Sequence, residues 1–337
     1  MNTASTNLAR RRLLRAIPSA LPFALGLPLA ALTGAARAQG GTYPNKPIEL
    51  VVPWQAGGGA DVVGRAFGAA VAKYLPQPIV VINKPGASGV LGLGDVVNAK
   101  PDGYRIVLSS TELTFLNHLG LAKFSYKDLR PIARLNADPA AVVVRADAPY
   151  ATLEQFVEAA READANIRVG NAGHGSTWHM AAAALAEKTG AKFNHIPYAG
   201  GAPAVLALLG GHIDAVTVST AEVSSYVAAG KLKALAVMAD RRVADGFEKI
   251  PTLKERGIDL SIGIWRGLSA PRATPDDVVA VLKAATARAV KEPVWLDALA
   301  KLHFSTDTYA DDVALEAVMA RESDFFKALA GKINLSS

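Results

Sequence analysis

Short apolar runs alternate with helical patterns along this chain, and several runs end in a glycine-bearing loop. That alternation constrains the fold more than any other feature. Ile48 to Pro53, Ile79 to Ile82, Tyr104 to Ser109, Ala141 to Val144, Ile167 to Gly170, Phe193 to Pro197, Ile213 to Val218, Lys233 to Met238 and Trp265 to Ala270 read as strands. Between the first two, Val62, Val63, Ala66, Phe67, Ala70, Val71 and Tyr74 recur at helical spacing. Further helices are expected over Val90 to Ala99, from the Thr152 cap to about Ala163, Ser176 to Lys188, and Ala202 to Leu209, the last closed by Gly210-Gly211. Pro275 to Ala289, Val294 to Leu302 and Ala310 to Leu329 complete the helical segments. Such short strands between helices predict an α/β fold of mainly parallel sheets with helices on both faces. Ligands of such sheets bind beyond the carboxyl ends of the strands, so the loops after strands carry the functional information.

Two of those loops stand out. The first runs Pro53-Trp54-Gln55-Ala56-Gly57-Gly58-Gly59-Ala60-Asp61. Its glycines allow the backbone to approach a ligand, and the following helix directs its positive end there, a geometry suited to a carboxylate or phosphate. Asp61 is expected as the N-cap, holding the loop rather than the anion. The second runs Asn171-Ala172-Gly173-His174-Gly175-Ser176-Thr177-Trp178-His179 and offers backbone N–H groups beside the hydroxyls of Ser176 and Thr177. Two such cradles suggest two jaws closing on one acid. Trp54 and Trp178 read equally as packing residues or as flat platforms for a ligand.

Catalytic motifs fail on spacing. Gly57 and Gly59 begin a dinucleotide fingerprint, but Val62 stands where its third glycine is required. A P-loop and a nucleophile elbow are absent, and His174, His179 and His195 lie in no metal-binding pattern. No catalytic residue, cofactor or metal is expected. The chain has no cysteine, which excludes disulfides and thiolate chemistry.

The first residues read as a removable export signal. Arg10, Arg11, Arg12 and Arg15 precede an uncharged run from Ala16 to Ala35 and the cleavage pattern Ala36-Arg37-Ala38. Pro18, Pro22 and Pro28 argue against a membrane-spanning helix. The arginines also resemble a twin-arginine signal, which leaves both export routes open. Lys and Arg number 36 against 30 Asp and Glu, but five of the arginines precede residue 39. The mature chain is therefore nearly neutral and offers no argument for nucleic acid.

At the glycine loops the sequence resembles the periplasmic substrate-binding proteins of tripartite tricarboxylate transporters, the Bug or TctC-like family. The resemblance extends through Tyr43 to Ile48, Val52 to Asp61, Val81 to Ala87, Lys100 to Tyr104, Asn171 to His179, His195 to Tyr198, Leu209 to Asp214, Gly230 to Val237 and Ile250 to Thr252. It implies a two-lobed, Venus-flytrap fold of type II character, each lobe a mainly parallel sheet flanked by helices. One lobe is expected over 39–138 and 253–337, the other over 139–252. It further implies that the loops grip a ligand carboxylate and that the protein hands a small organic acid to membrane permease subunits. The expected ligand-binding set is Trp54, Gly57, Gly58, Gly59, Asp61, Thr111, Gly173, Gly175, Ser176, Thr177, Trp178, Tyr198 and Asp214. Trp54 stands where Phe is usual, Trp178 where a small residue is common, and Glu112 to Tyr126 retains only traces of the family pattern. Those departures, with no Arg in the loops, favour a mono- or dicarboxylate with an aromatic or apolar body over citrate; Arg266 could approach from outside the loops. A sensor-kinase input and an exported cofactor-dependent enzyme are the alternatives.

Overall fold

The computed structural model describes residues 42–244 and 246–333, so the expected export signal lies outside the described residues. The first strand, β1 (Ile48–Val52), is buried at four of its five positions, as a strand between two helical layers must be. It is followed by α1 (Gly59–Val71), β2 (Ile79–Asn83), α2 (Val90–Val97) and β3 (Arg105–Ser110). β1 pairs in parallel with β2 on one side and β3 on the other. Helix α1 buries Val63, Phe67, Ala70 and Val71, and Phe67 meets the Trp295 ring edge-on at 6.4 Å. Full burial of one such side chain contributes about 1.5–3 kcal/mol.

Next comes β4, a 17-residue strand from Leu129 to Arg145. Only Ala141 to Val144 is expected from the sequence; the longer strand also contains Pro131 and Pro139, which cannot donate to a ladder. The structure tolerates Pro139 because the strand changes partners there, and Pro131 because the register against β9 shifts beside it, between Pro131 and Ala133. Leu129 to Pro139 pairs antiparallel with β9 (Gly263–Pro271). Beyond Pro139, Ala140 to Val144 pairs with β7 (Ala215–Ser219), and Ala141 to Arg145 with β8 (Leu232–Val237). Proline, which has no N–H to donate, thus falls at the exchange between two ladders.

The second half carries α3 (Leu153–Arg161), β5 (Ile167–Asn171), α4 (Thr177–Thr189), β6 (Phe193–Pro197), α5 (Gly201–Leu209) and α6 (Thr220–Ala228). Thr152 caps α3 by accepting the Gln155 N–H, as its sequence suggests. Helix α6 is not legible as a separate element because it starts on the residue after β7, with no loop between them. β5 pairs in parallel with β6 and β7. The chain returns through β9, then α7 (Asp276–Ala289), α8 (Pro293–Ala300), the short β10 (Ala310–Asp311) and α9 (Asp312–Ala330).

The strand order is β2-β1-β3-β9-β4-β7-β5-β6, with β8 and β10 also paired to β4. The outer groups β2-β1-β3 and β6-β5-β7 are parallel, while β4 and β9 join them antiparallel, so the sheet as a whole is mixed. One apolar core gathers around β1, α1, α7 and α8; another lies around the second half of β4 with β5, β7, β8 and α4. Both glycine loops follow parallel strands, at their carboxyl ends.

Candidate functional site

The first glycine loop is held from behind. Asp61 Oδ2 accepts the Gly57 N–H at 2.9 Å and the Arg65 Nε–H at 3.0 Å, and Oδ1 accepts from Asn83 Nδ2 at 2.9 Å. The same Asn83 amide reaches the Trp54 carbonyl at 3.1 Å. Burial pushes the Asp61 pKa up, but the hydrogen bonds from Arg65, Gly57 and Asn83 bring it below the usual carboxylate value. Asp61 therefore holds the loop as the sequence suggests, but from the third helical position: the N-cap is Gly58, which gives no side-chain cap. Gly57, with φ at +80°, makes the turn and is exposed, as is Gly58.

Arg266 lies directly against this loop. A Cβ at Gly59 would sit 3.1 Å from Arg266 Nη2 and 3.1 Å from the Phe304 ring, so any larger residue here must push the guanidinium or the ring aside. Arg266 is 4 % exposed. Its Nη1 donates to Asp138 Oδ2 at 3.3 Å, its guanidinium lies 4.8 Å from the centre of the Phe304 ring, and its Nε has no hydrogen-bond partner. Asp138 also accepts the Ser305 N–H at 2.9 Å. Burial raises the pKa of Asp138 and of Glu222, and Arg266 opposes the rise in both. The sequence signal for Arg266 was one cation inside the otherwise uncharged strand Gly263–Pro271.

Several donors of the second glycine loop are engaged within the protein. Gly173 N–H bonds Asn171 Oδ1 at 3.0 Å, and Gly175 N–H bonds His179 Nδ1 at 3.1 Å. The Ser176 hydroxyl caps α4 by accepting the His179 N–H at 3.2 Å. Thr177 gives both its N–H (3.2 Å) and its hydroxyl (2.8 Å) to Glu112 Oε1. Glu112 follows β3 and is 2 % exposed; its Oε2 accepts from the Ser110 hydroxyl at 2.5 Å. Ser88, which follows β2, donates to the His174 carbonyl at 2.6 Å. The two halves of the chain thus meet at this loop. His179 lies between His174 and His195, with ring centres at 5.3 and 4.6 Å; burial above all, and then these neighbours, push its pKa down to about 3.

Four of the expected ligand-contact residues have partners within the protein. Trp178 is 4 % exposed within the apolar core, and its carbonyl accepts the Thr217 hydroxyl, so the ring serves packing. Thr111 donates to the Gly263 carbonyl at 3.2 Å and accepts the Trp265 N–H at 3.0 Å, which ties it to β9. Asp214 is bound by Arg168 through its N–H, Nε and Nη2, at the start of β5, whereas the glycine loop follows the end of that strand. Tyr198 places its ring beside Gly170 and its carbonyl beside Gly173. Trp54 is half-buried, with its ring near Gly89. Sequence reasoning missed the roles of Asn83, Glu112 and Asp138, because each acts on residues far away along the chain; it also missed Glu222, which forms a local capping box with Ser219 on a helix not legible in the sequence.

A cavity of about 830 Å³ opens beside the crossing of β4 and β9, lined in part by Asp138, Thr220, Ile264, Trp265, Ser305 and Glu322. Neither glycine loop lines it, although Asp138 connects its wall to Arg266. Among the described residues, no helix is long and apolar enough to cross a membrane.

Comparison with known proteins agrees with this architecture. The family model described as "Tripartite tricarboxylate transporter family receptor" (TctC) matches residues 63–335. A Cupriavidus necator protein described as "UPF0065 protein in gbd 5'region" is 35 % identical over 267 residues, covering 79 % of this chain and 81 % of its own. The crystal structure of a TctC solute-binding protein from Polaromonas, without ligand, is 56 % identical, with a TM-score of 0.73 over 87 % of this chain and 100 % of that one. MatC from Rhodopseudomonas palustris, solved with bound malate, is 28 % identical, with a TM-score of 0.75 over 86 % of this chain and 100 % of its own. The mixed α/β architecture is thus the two-lobed one of periplasmic binding proteins, whose role is to bind solutes rather than to transform them. With most of its length matched by one family model, this chain belongs to the tripartite tricarboxylate transporter receptor family, TctC.

Proposed function

We propose that this receptor captures a small organic carboxylate at the first glycine loop, with Arg266 as the cationic partner, and delivers it to a membrane permease. The observation that carries this reading is the buried Arg266, packed against Gly59 at the start of α1 with Nε unpartnered. The first turn of α1 directs backbone N–H groups toward the same place. An incoming carboxylate pairs with the Nε–Nη2 edge of the guanidinium, leaving Nη1 on Asp138, and receives charge-assisted hydrogen bonds from both sources. MatC, bound to malate, is a relative whose ligand belongs to the carboxylate class. The apolar or aromatic body of the ligand lies against Trp54, while Trp178 supports the second loop from the core.

On this reading the two lobes comprise about 39–138 with 253–337, and 139–252, and they close around the ligand as the second loop folds over the first. The chain is exported and cut near Ala38, leaving the mature receptor in the periplasm; N-terminal sequencing from a periplasmic extract checks that step.

Calorimetric titration with a panel of organic acids, on the intact protein and on Arg266→Gln, tests the binding reading. Loss of a hydrogen-bonded charge contact costs about 1.5–3 kcal/mol, so affinity for the best acid falls by roughly tenfold or more. An affinity unchanged by the substitution overturns the assignment of Arg266.

A further inference from the structure

The N-terminus of α4 already holds a carboxylate, and it belongs to the protein. Glu112 receives the Thr177 N–H, the Thr177 hydroxyl and the Ser110 hydroxyl, and it is 2 % exposed. Three donors around one buried carboxylate make a complete anion site. Thr177 begins the helix after β5, and Glu112 follows β3 in the other half of the chain, 65 residues away. The Gly173, Gly175 and His179 N–H groups of the second loop are engaged by Asn171, His179 and Ser176.

The charge around the first loop is equally restrictive. Arg266 is a single cation, and it already faces Asp138 and Glu222. A ligand carboxylate at Arg266 uses that cation. A second carboxylate directed at α4 would have to displace Glu112 or lie beside it, in a site where like charges are weakly screened.

We propose that Glu112 determines selectivity: it occupies the α4 cradle in place of a ligand's second carboxylate, so the receptor accepts monocarboxylates and rejects dicarboxylates of the same length. The inference rests on the reading that one ligand carboxylate binds at Arg266. Two devices enforce the selection. The negative charge of Glu112 repels a second anion, and its hydrogen bonds withdraw the Thr177 donors that a second anion would use. Substituting Glu112 by Gln removes the charge and keeps an acceptor for Thr177; substituting it by Ser removes both and opens the cradle.

Calorimetric titrations of the native protein, Glu112→Gln and Glu112→Ser with hexanoate against adipate, and with butanoate against succinate, provide the test. In the native protein the monocarboxylate of each pair binds more tightly. The ratio of dicarboxylate to monocarboxylate affinity rises by about tenfold or more in both variants, and most in Glu112→Ser. Circular dichroism of each variant confirms that it is folded; Glu112→Gln keeps the test open if Glu112→Ser is not. A ratio unchanged in folded Glu112→Gln, or native protein that prefers the dicarboxylate, overturns the proposal while leaving the Arg266 reading intact. Monocarboxylate binding that survives Arg266→Gln at full strength overturns the underlying reading instead. If none of the four acids binds, both are overturned.

Discussion

Asp61 closes the loop that precedes it: one carboxylate oxygen takes the Gly57 N–H at 2.9 Å, and the other takes the Asn83 amide at 2.9 Å from the end of β2. The backbone conformation of the first glycine loop therefore depends on a carboxylate that points back into the protein. Asp61→Ala leaves the Gly57 N–H and the Asn83 amide without that acceptor. Unmet polar groups of this kind cost about 1–3 kcal/mol each when buried; at this partly exposed loop we expect a total near the lower figure. Urea denaturation measures the loss of stability. Calorimetry is expected to show weaker carboxylate binding as well, since the loop no longer holds its donors together. Retention of native affinity would separate loop geometry from binding.

Trp178 provides a contrast. Its ring is buried in the core, so Trp178→Ala should cost stability, about 3–5 kcal/mol on the scale of large-to-small core changes, while Trp54→Ala should cost little stability and reduce ligand affinity. Paired denaturation and calorimetry on the two variants check the division. Equal losses of affinity, with Trp178→Ala still fully stable, would show Trp178 to be a ligand platform.

His179 makes stability depend on pH. Its Nδ1 accepts the Gly175 N–H, which places the ring proton of the neutral form on Nε2. The folded pKa is held to about 3 against 6.5 for the free side chain, chiefly by burial. Between these values the unfolded chain binds the proton and the folded chain does not. Stability is therefore full above about pH 6.5 and falls as pH decreases toward 3, with a slope of up to about 1.4 kcal/mol per pH unit. His195, also lowered by burial, acts in the same direction. His179→Leu should be less stable near neutral pH, because Gly175 loses its acceptor, and should show a flatter acid dependence. Urea midpoints between pH 7.5 and 4.5 supply the comparison; identical slopes would rule out His179 as a source.

The exchange of partners at Pro139 leaves little space around β9. A Cβ at Gly263 would lie 2.5 Å from the Asp138 carbonyl oxygen and 2.9 Å from the Pro139 Cα, both backbone atoms. Gly263→Ala must push β4 and β9 apart, at a cost of about 1–3 kcal/mol. If this crossing is also a hinge, as the crossings near 138–140 and 250–253 are expected to be, small-angle scattering will show a more compact native protein with ligand and a smaller change in the variant. An unchanged scattering profile at saturating ligand would remove the hinge.

Local chemistry carried much of this protein. Strand and helix positions followed from apolar periodicity, the N-cap Thr152 from a hydroxyl residue ahead of a helical run, and both glycine loops from small residues after a strand. These features depend on neighbours within a few residues, and such neighbours are visible in sequence. What only the tertiary structure decided lies between distant segments. The 17-residue course of β4 became possible because two different ladders receive it on either side of Pro139. Glu112 met Thr177 because β3 and β5 end toward one another, and Arg266 reached Gly59 because antiparallel β9 packs beside β3. Trp178 fell to the core and Asp214 to Arg168, although both lie in or near the family-like loops. A side chain's partner is set by which segments the folded sheet brings within about 3 Å, and the separations of 46 and more residues that join these pairs leave no periodic trace along the chain.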